Sequence, residues 1–148
     1  MATTKTRPQG IGWISPFLTV KDVERAVEFY VKAFKFKSAG IIKDDKGVAS
    51  HAGVKYKNAL IMMGPGPNKP PTELGGTTFN LYIYVKNVDA FFKKAKKAGA
   101  KVIAEPADQH WGDRVAQLED PEGHCWWFAT HLGKPETTTT TEPVQQGQ

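Results

Sequence analysis

An internal repeat constrains the fold of this chain more than any other feature. The segment TVKDVERAVEFYVKAF at 19–34 returns as YVKNVDAFFKKAKKAG at 84–99, so that Val20 is matched by Val85 at an offset of 65 residues. A repeat of this kind is one supersecondary unit used twice. The chain is therefore predicted to fold as two similar halves.

Each copy of the repeat predicts one amphipathic helix. Asp22 and Asn87 are suitable N-cap residues, because their side-chain oxygens accept hydrogen bonds from the free amides of a first helical turn. Apolar residues follow both caps at helical spacing. Gly99 is expected to end the second helix, since glycine adopts the left-handed conformation found after many helices.

Short strand-like segments surround both predicted helices. The segments that precede the helices are WISPFLTV and TFNLYIYV. Further strands are predicted at 38–43, 48–54 and 59–63 in the first half, and at 100–104, 114–119 and 124–131 in the second. Each half is thus predicted to be a βαβββ module. The fold class is α+β with two tandem modules, both expected to form concave mixed sheets.

The composition of the segments predicts the limits of the domain. One folded domain is expected at 11–132. It consists of modules 11–64 and 77–132, joined by a linker at 65–76. The linker is rich in Pro and Gly, which predicts a loop rather than a helix. Residues 1–10 and the Thr-rich residues 133–148 have little apolar content to offset the entropy of ordering, so we expect a flexible arm and a disordered tail.

Composition and charge also bear on location and partners. No apolar run is long enough to span a membrane and no secretory signal is visible, so a cytoplasmic protein without membrane partners is expected. Cys125 is the only cysteine, which excludes an intrachain disulfide. Part of the net charge of +5 comes from lysines on the second predicted helix: Lys93, Lys94, Lys96 and Lys97. Without interleaved aromatic residues this is a solvated face, so no nucleic-acid partner is expected.

The motif DPEGH at 120–124 completes the pattern. Pro at the second position and Gly at the fourth predict a tight turn before the last strand. Two tandem βαβββ modules with this motif resemble the vicinal oxygen chelate superfamily, which contains glyoxalases, bleomycin resistance proteins and extradiol dioxygenases. The resemblance covers 13–131. PFLTVKDVERAVEFYVKAF and WGDRVAQLEDPEGHCWWFATH resemble the PhnB-like branch most.

The resemblance implies a pocket between paired modules, commonly in a homodimer, in which the linker would permit exchange of modules. Metal-dependent members place one His or Glu ligand on the first and last strand of each module. The matching positions here are Ser15, Asn80, a residue within 60–63, and Trp127. None is a strong ligand for a catalytic transition metal, so no metal cofactor is expected.

Binding of a small planar or aromatic organic molecule without a catalytic metal is therefore predicted. The alternative is a metal-dependent lyase, isomerase or dioxygenase that holds a divalent metal through unusual ligands, for which His51, His110 and Glu119 form the one candidate set. A scaffold protein whose pocket is filled by Trp127 and the tyrosines is a third interpretation.

Strand alternation predicts which side chains line the pocket. The ligand-binding candidates are Phe17, Asn80, Tyr82, Tyr84, Trp111, Arg114 and Trp127. Trp111 is placed to stack on a planar ligand, and Arg114 to bind a carboxylate or phosphonate. Alternatively, Asp113 pairs with Arg114 and orders the loop.

The remaining candidates are the histidines and the thiol. His51 is either a general base or a hydrogen-bonded strand histidine, and no other catalytic residue is assigned. His124 is expected to bond to the turn backbone, and His131 to be exposed at the end of the strand. Cys125 is expected to be a small packed side chain.

Overall fold

The computed structural model of the protein describes residues 5–133, so the predicted tail lies, except for Gly133, outside the described residues. The first module consists of β1 (Phe17–Thr19), α1 (Val23–Ala33), β2 (Lys37–Lys43), β3 (Ala49–Tyr56) and β4 (Ala59–Gly64). After the short helix α2 (Pro71–Leu74), the second module consists of β5 (Asn80–Tyr84), α3 (Val88–Lys97), β6 (Lys101–Asp108), β7 (Asp113–Glu119) and β8 (Cys125–His131). The predicted α+β fold of two tandem βαβββ modules is confirmed.

The two modules have the same topology. The strand order is β1-β4-β3-β2 in one sheet and β5-β8-β7-β6 in the other. In each sheet the first strand runs parallel to the last, and the other neighbours are antiparallel. Two parallel strands must be joined by a long crossover connection, and in the two modules this connection begins with α1 and α3 respectively. The repeat in the sequence is thus a repeat of sheet topology.

The predicted caps fix where the two long helices start. The side chain of Asp22 accepts from the backbone N–H of Arg25 at 3.0 Å, and that of Asn87 from Ala90 at 3.0 Å. Gly99, at φ +106°, follows the end of α3. None of the helices in residues 5–133 is both long enough and apolar enough to cross a membrane.

The two modules share one hydrophobic core, which lies between their helix-bearing sides. Phe34, at the end of α1, contacts Phe91 of α3 and Phe128 of β8, with ring centroids 6.0 and 4.8 Å apart. Trp126 and Phe128 are fully buried. Burying each such side chain stabilises the fold by roughly 1.5–3 kcal/mol, so the shared core holds the modules together.

A buried carboxylate joins the modules at the DPEG turn. Asp120 is 3% exposed and accepts from the Tyr30 hydroxyl of the first module and from Trp126 Nε1 at 3.0 Å. The backbone N–H groups of Glu122 and His124 also donate to it, each at 3.0 Å. Burial, followed by the adjacent Asp120 charge, raises the pKa of Tyr30 well above its usual value. Four donors make this buried charge tolerable.

The prediction of a loop throughout the linker is wrong at Pro71–Leu74, which form the one-turn helix α2. Proline fits the first position of a helix because its missing N–H would have no partner there. Gly75, at φ +79°, ends the turn. The N–H of Thr72 donates to the carbonyl of Glu122 at 3.1 Å, so the linker packs on the DPEG turn.

His124 has a different partner from the one expected. Its Nε2 lies 2.8 Å from the carbonyl oxygen of Thr19, at the end of β1, rather than against the turn backbone. The ring lies on the side of β8 that meets the first module. His124 therefore ties the last hairpin to the first strand.

Candidate functional site

Each sheet has one face toward the helices and a second face on which large apolar side chains are exposed. We call these the first and second open faces, after their modules. Phe17 of the first is 52% exposed and Tyr84 of the second is 55% exposed. Contiguous exposed apolar surface of this kind is typical of a binding or interaction site.

The second open face brings together, on β5 and β8, four of the predicted ligand-binding residues. In the parallel pairing of β5 with β8, Tyr82 lies beside Trp127, with ring centroids 6.2 Å apart. Tyr84 follows Tyr82 on the same face at a centroid distance of 5.4 Å. Asn80 begins the same strand, two residues before Tyr82, so alternation places it on this face. The structure thus forms the aromatic row that strand alternation predicts.

A buried carboxylate that the sequence analysis did not select organises this row. Asp113 is only 2% exposed. Its Oδ2 accepts from the hydroxyls of Tyr82 at 2.5 Å and Tyr84 at 2.8 Å, and its Oδ1 lies 2.8 Å from Nδ1 of His131. Trp111 Nε1 in turn donates to the Tyr82 hydroxyl at 3.1 Å. We call these five residues the Asp113 cluster.

The Asp113 cluster holds a negative charge at the hydroxyl ends of the two tyrosine rings. Burial opposes ionisation of Asp113, but hydrogen bonds from Tyr82, His131 and Tyr84 outweigh it, so the pKa of the carboxyl lies below its usual value. Burial and the bond to Asp113 raise the pKa of Tyr82 to about 12. The bond to Asp113 is also the main cause of the raised pKa of Tyr84. The tyrosines therefore stay neutral donors to an ionised acceptor.

Arg114 does not join this face, and the alternative ion pair between Asp113 and Arg114 is wrong. Neighbouring residues of a strand point to opposite faces. Arg114 bonds to both carboxylate oxygens of Asp89 at 2.8 and 3.0 Å, and to Asp108 at 2.9 Å. It thus lies on the helix side of the sheet, away from the aromatic row.

His131 is exposed, as expected, yet it belongs to the cluster. Its side chain is 61% exposed, and it lies opposite Asp113 in the β7–β8 pairing. Alternation from Trp127 already places His131 on the open face. The missing signal was the register of β7, which puts Asp113 directly across from it.

The first open face holds the other candidates. Phe17 lies 5.7 Å from His51 between ring centroids. A cavity of about 350 Å³ is lined mainly by apolar residues, with His51 among them; the others include Ile11, Ile41, Leu60 and Met62. Phe17 and His51 therefore belong to one sheet, and Tyr82 and Trp127 to the other.

Comparison with known proteins now places the fold. A family model described as "Glyoxalase/Bleomycin resistance protein/Dioxygenase superfamily" matches residues 10–128. The chain belongs to this glyoxalase/bleomycin resistance protein/dioxygenase superfamily. The uncharacterized protein Mb0911c of Mycobacterium bovis is 35% identical over 139 residues, covering 89% of this chain and 89% of that protein. Rv0887c of Mycobacterium tuberculosis has the same identity, over 89% of this chain and 79% of its own length.

Solved structures of other proteins agree with this fold. TioX from Micromonospora sp. ML1 superposes with a TM-score of 0.66 at 26% identity, covering 80% of this chain and 98% of that chain. A superfamily member from Sphaerobacter thermophilus gives a TM-score of 0.64 at 20% identity, covering 82% and 98%. At that identity the likeness concerns the fold alone.

The residues of this superfamily member do not fit the metal site that the resemblance implies. Within residues 5–133, no three His, Cys, Asp or Glu side chains lie close enough to hold a metal ion. The set of His51, His110 and Glu119 does not converge, because His51 lies on the first sheet and the other two flank opposite ends of β7. Of the positions that match the metal slots, Asn80 lies beside Cys125 and Trp127 beside Tyr82 in the pairing of β5 with β8.

Cys125 starts β8, on the same face as Trp127. The pKa of its thiol is raised, mainly by burial. A raised pKa leaves little thiolate, which is the reactive form. This agrees with the expected packing role.

Proposed function

We propose that this superfamily member binds a small planar or aromatic organic molecule on the second open face, without a catalytic metal. One observation carries the proposal: Tyr82, Tyr84 and Trp127 lie in a row on an accessible face, fixed from below by Asp113. Tyr82 is 38% exposed and Tyr84 55% exposed, so ring surface is available for stacking.

The hydrogen bonds of the Asp113 cluster favour binding, because they hold the rings before a ligand arrives. Trp111 donates to Tyr82, which donates to Asp113. Ordering a side chain on binding costs about 0.5–1.5 kcal/mol, and rings already held avoid that cost. The Nε1 of Trp127 is buried and has no acceptor among the described residues. Native structures rarely keep a buried polar group without a partner.

We further propose a homodimer, in which the first open face of one copy covers the second open face of the other. Exposed apolar side chains on both faces support this arrangement, among them Phe17, Ile42 and Tyr84 at 52%, 61% and 55%. Such pairing would place Phe17 and His51 opposite the aromatic row and restore the predicted lining. The motifs also favour the PhnB-like branch, and the single thiol suits a cytoplasmic location.

A binding screen tests the ligand proposal. Purified full-length protein is titrated with planar aromatic compounds of neutral, cationic and anionic charge, and tryptophan fluorescence is followed. Tyr84→Ala is expected to weaken binding at least about fivefold, since it removes stacking surface. Phe79→Ala is the control, because Phe79 is 62% exposed but precedes β5. If no compound alters the fluorescence, the proposal is wrong.

Two further measurements test the dimer and the absence of a metal. Light scattering is expected to give twice the mass of one chain, and Phe17→Glu to give a monomer, while Leu74→Glu on α2 does not. Elemental analysis after incubation with Ni, Zn, Mn and Fe, followed by desalting, is expected to find no retained metal. About one metal per chain would favour the metal-dependent lyase, isomerase or dioxygenase alternative.

A further inference from the structure

We infer that the organic molecule bound on the second open face carries a positive charge, placed over the rings of Tyr82 and Tyr84. This inference rests on the proposed function and names the chemical class of its ligand. Three features of the Asp113 cluster support it: a buried carboxylate that no lysine or arginine of the described residues pairs with, polarised rings, and hydroxyl donors that are already engaged.

The first feature is the charge of Asp113. Its carboxylate is 2% exposed, and its partners are two tyrosine hydroxyls and one imidazole. Within residues 5–133, no lysine or arginine forms an ion pair with it. Because water screens a buried charge poorly, its field extends onto the face above. A cation on that face is attracted.

The second feature is the effect of this charge on the rings. Tyr82 and Tyr84 both donate to Oδ2, at 2.5 and 2.8 Å, and the shorter distance is typical of a bond to an ionised acceptor. Hydrogen bonds in such a chain polarise one another, which shifts electron density toward the phenol rings. A cation is held by the negative face of an aromatic ring, so donation to Asp113 strengthens this attraction.

The third feature is that the tyrosine and Trp111 donors of the Asp113 cluster are already engaged. The hydroxyls of Tyr82 and Tyr84 are used by Asp113, and Nε1 of Trp111 is used by Tyr82. The face therefore offers ring surface rather than these N–H and O–H groups. Basic side chains gather elsewhere: Lys93, Lys96, Lys97 and Arg114 line a groove of about 660 Å³ beside α3.

The test uses three probes with the same fused-ring skeleton and different charge. N-methylquinolinium is the cation, 1-methylnaphthalene its neutral isoelectronic counterpart, and 1-naphthoate the anion. Binding to the full-length protein is followed by NMR through the indole N–H signals, at about pH 8, where histidine is ordinarily neutral. We expect the cation to bind about tenfold more tightly than the neutral probe, and the anion to bind most weakly.

The outcomes separate this inference from the proposed function. Equal binding of the cation and the neutral probe, or tighter binding of the anion, would overturn the inference and leave the proposed function standing. No binding of any probe would overturn both.

Variants locate the source of the preference. Asp113→Asn removes the buried charge and is expected to bring the two affinities within about twofold of each other, with the neutral probe little affected. Asp108→Asn is the matched control, since it removes the same formal charge on the helix side and should keep the preference.

If Asp113→Asn does not fold, Tyr84→Phe takes its place. It keeps the ring but breaks the bond to Asp113, so it should lower the cation preference about threefold. An undiminished preference of about tenfold in Tyr84→Phe would count against the inference.

Discussion

The two open faces share one strand order but carry different chemistry. Where the first sheet pairs Phe17 with Met62, the second pairs Tyr82 with Trp127. The offset of the sequence repeat makes these pairs equivalent. The repeat thus gives both faces the same scaffold, and the different residues at equivalent positions give the aromatic row to one of them.

The Asp113 cluster has no counterpart among the described residues of the first open face. On β7, Asp113 lies four residues before the partner of Trp127, and the corresponding residue of β3 is Ala49. A buried carboxylate and its three donors therefore belong to the second module alone. The difference teaches that a shared fold does not give the two halves a shared function.

The largest expected effect concerns two glycines of the second module, Gly123 in the DPEG turn and Gly99 after α3. A Cβ at Gly123, which has φ +92°, would lie 2.9 Å from the backbone N of Thr72, whereas at Gly99, with φ +106°, it would meet nothing within 4 Å. Gly123→Ala should lower the free energy of unfolding by about 3 kcal/mol, and Gly99→Ala by about 1 kcal/mol. Urea unfolding measures both. Equal losses would show that α2 does not pack on the DPEG turn.

The second effect is on the stability that the Asp113 cluster provides. Asp113→Ala leaves the hydroxyls of Tyr82 and Tyr84 without their acceptor, so it should lower the free energy of unfolding by about 1–2 kcal/mol. Asp108→Ala, which breaks an exposed ion pair, should cost less than about 0.5 kcal/mol. Urea unfolding of the two variants compares them directly, and no difference would argue against a stabilising role of the Asp113 cluster.

The third effect is on tyrosine ionisation. The pKa of Tyr82 is raised to about 12, so the folded state keeps a proton that the unfolded state loses near its ordinary pKa of about 10. The contribution to stability is complete below about pH 10 and is lost as the pH rises toward 12. Ultraviolet absorbance detects the phenolate. Asp113→Asn should shift this titration to lower pH, and an unchanged curve would contradict the assignment.

The smallest effect returns to the first module. Its β3–β4 turn places Lys57 at φ +52°, a conformation that the second module gives to Gly123. Lys57→Gly should stabilise the protein, or leave its stability unchanged within about 0.5–1 kcal/mol, because relief of strain and added chain entropy oppose each other. Thermal unfolding is the measurement. A loss of more than about 1 kcal/mol would mean that the lysine side chain stabilises the turn.

Local patterns in the sequence predict much of this fold. The caps at Asp22 and Asn87 and the alternation that groups Tyr82, Tyr84 and Trp127 need only nearby residues. The Asp113 cluster could not be predicted in the same way, because it depends on the β7–β8 register that opposes Asp113 and His131. The sequence predicts a strand at 114–119, whereas β7 begins at Asp113. The predicted bounds left Asp113 in the loop, so they did not show that Asp113 and Arg114 point to opposite faces of the sheet.

Within residues 5–133, the open faces of the two modules do not meet, and the reason is physical. The modules meet through their helix sides, where Phe34 packs on Phe91 and Phe128. The open faces consequently belong to separate sheets. The helix α2 escaped prediction because four residues are too few for a hydrophobic period.

The carboxylate of Asp120 has a consequence for how the protein comes apart. It accepts from Tyr30 of one module and from Trp126 of the other, within a core that neither module completes alone. Opening either half would break the bond between this buried carboxylate and Tyr30, so partial unfolding is costly. Hydrogen exchange of the buried amides in both modules should therefore give one common free energy of opening. The two copies of the repeat would then unfold as one cooperative unit.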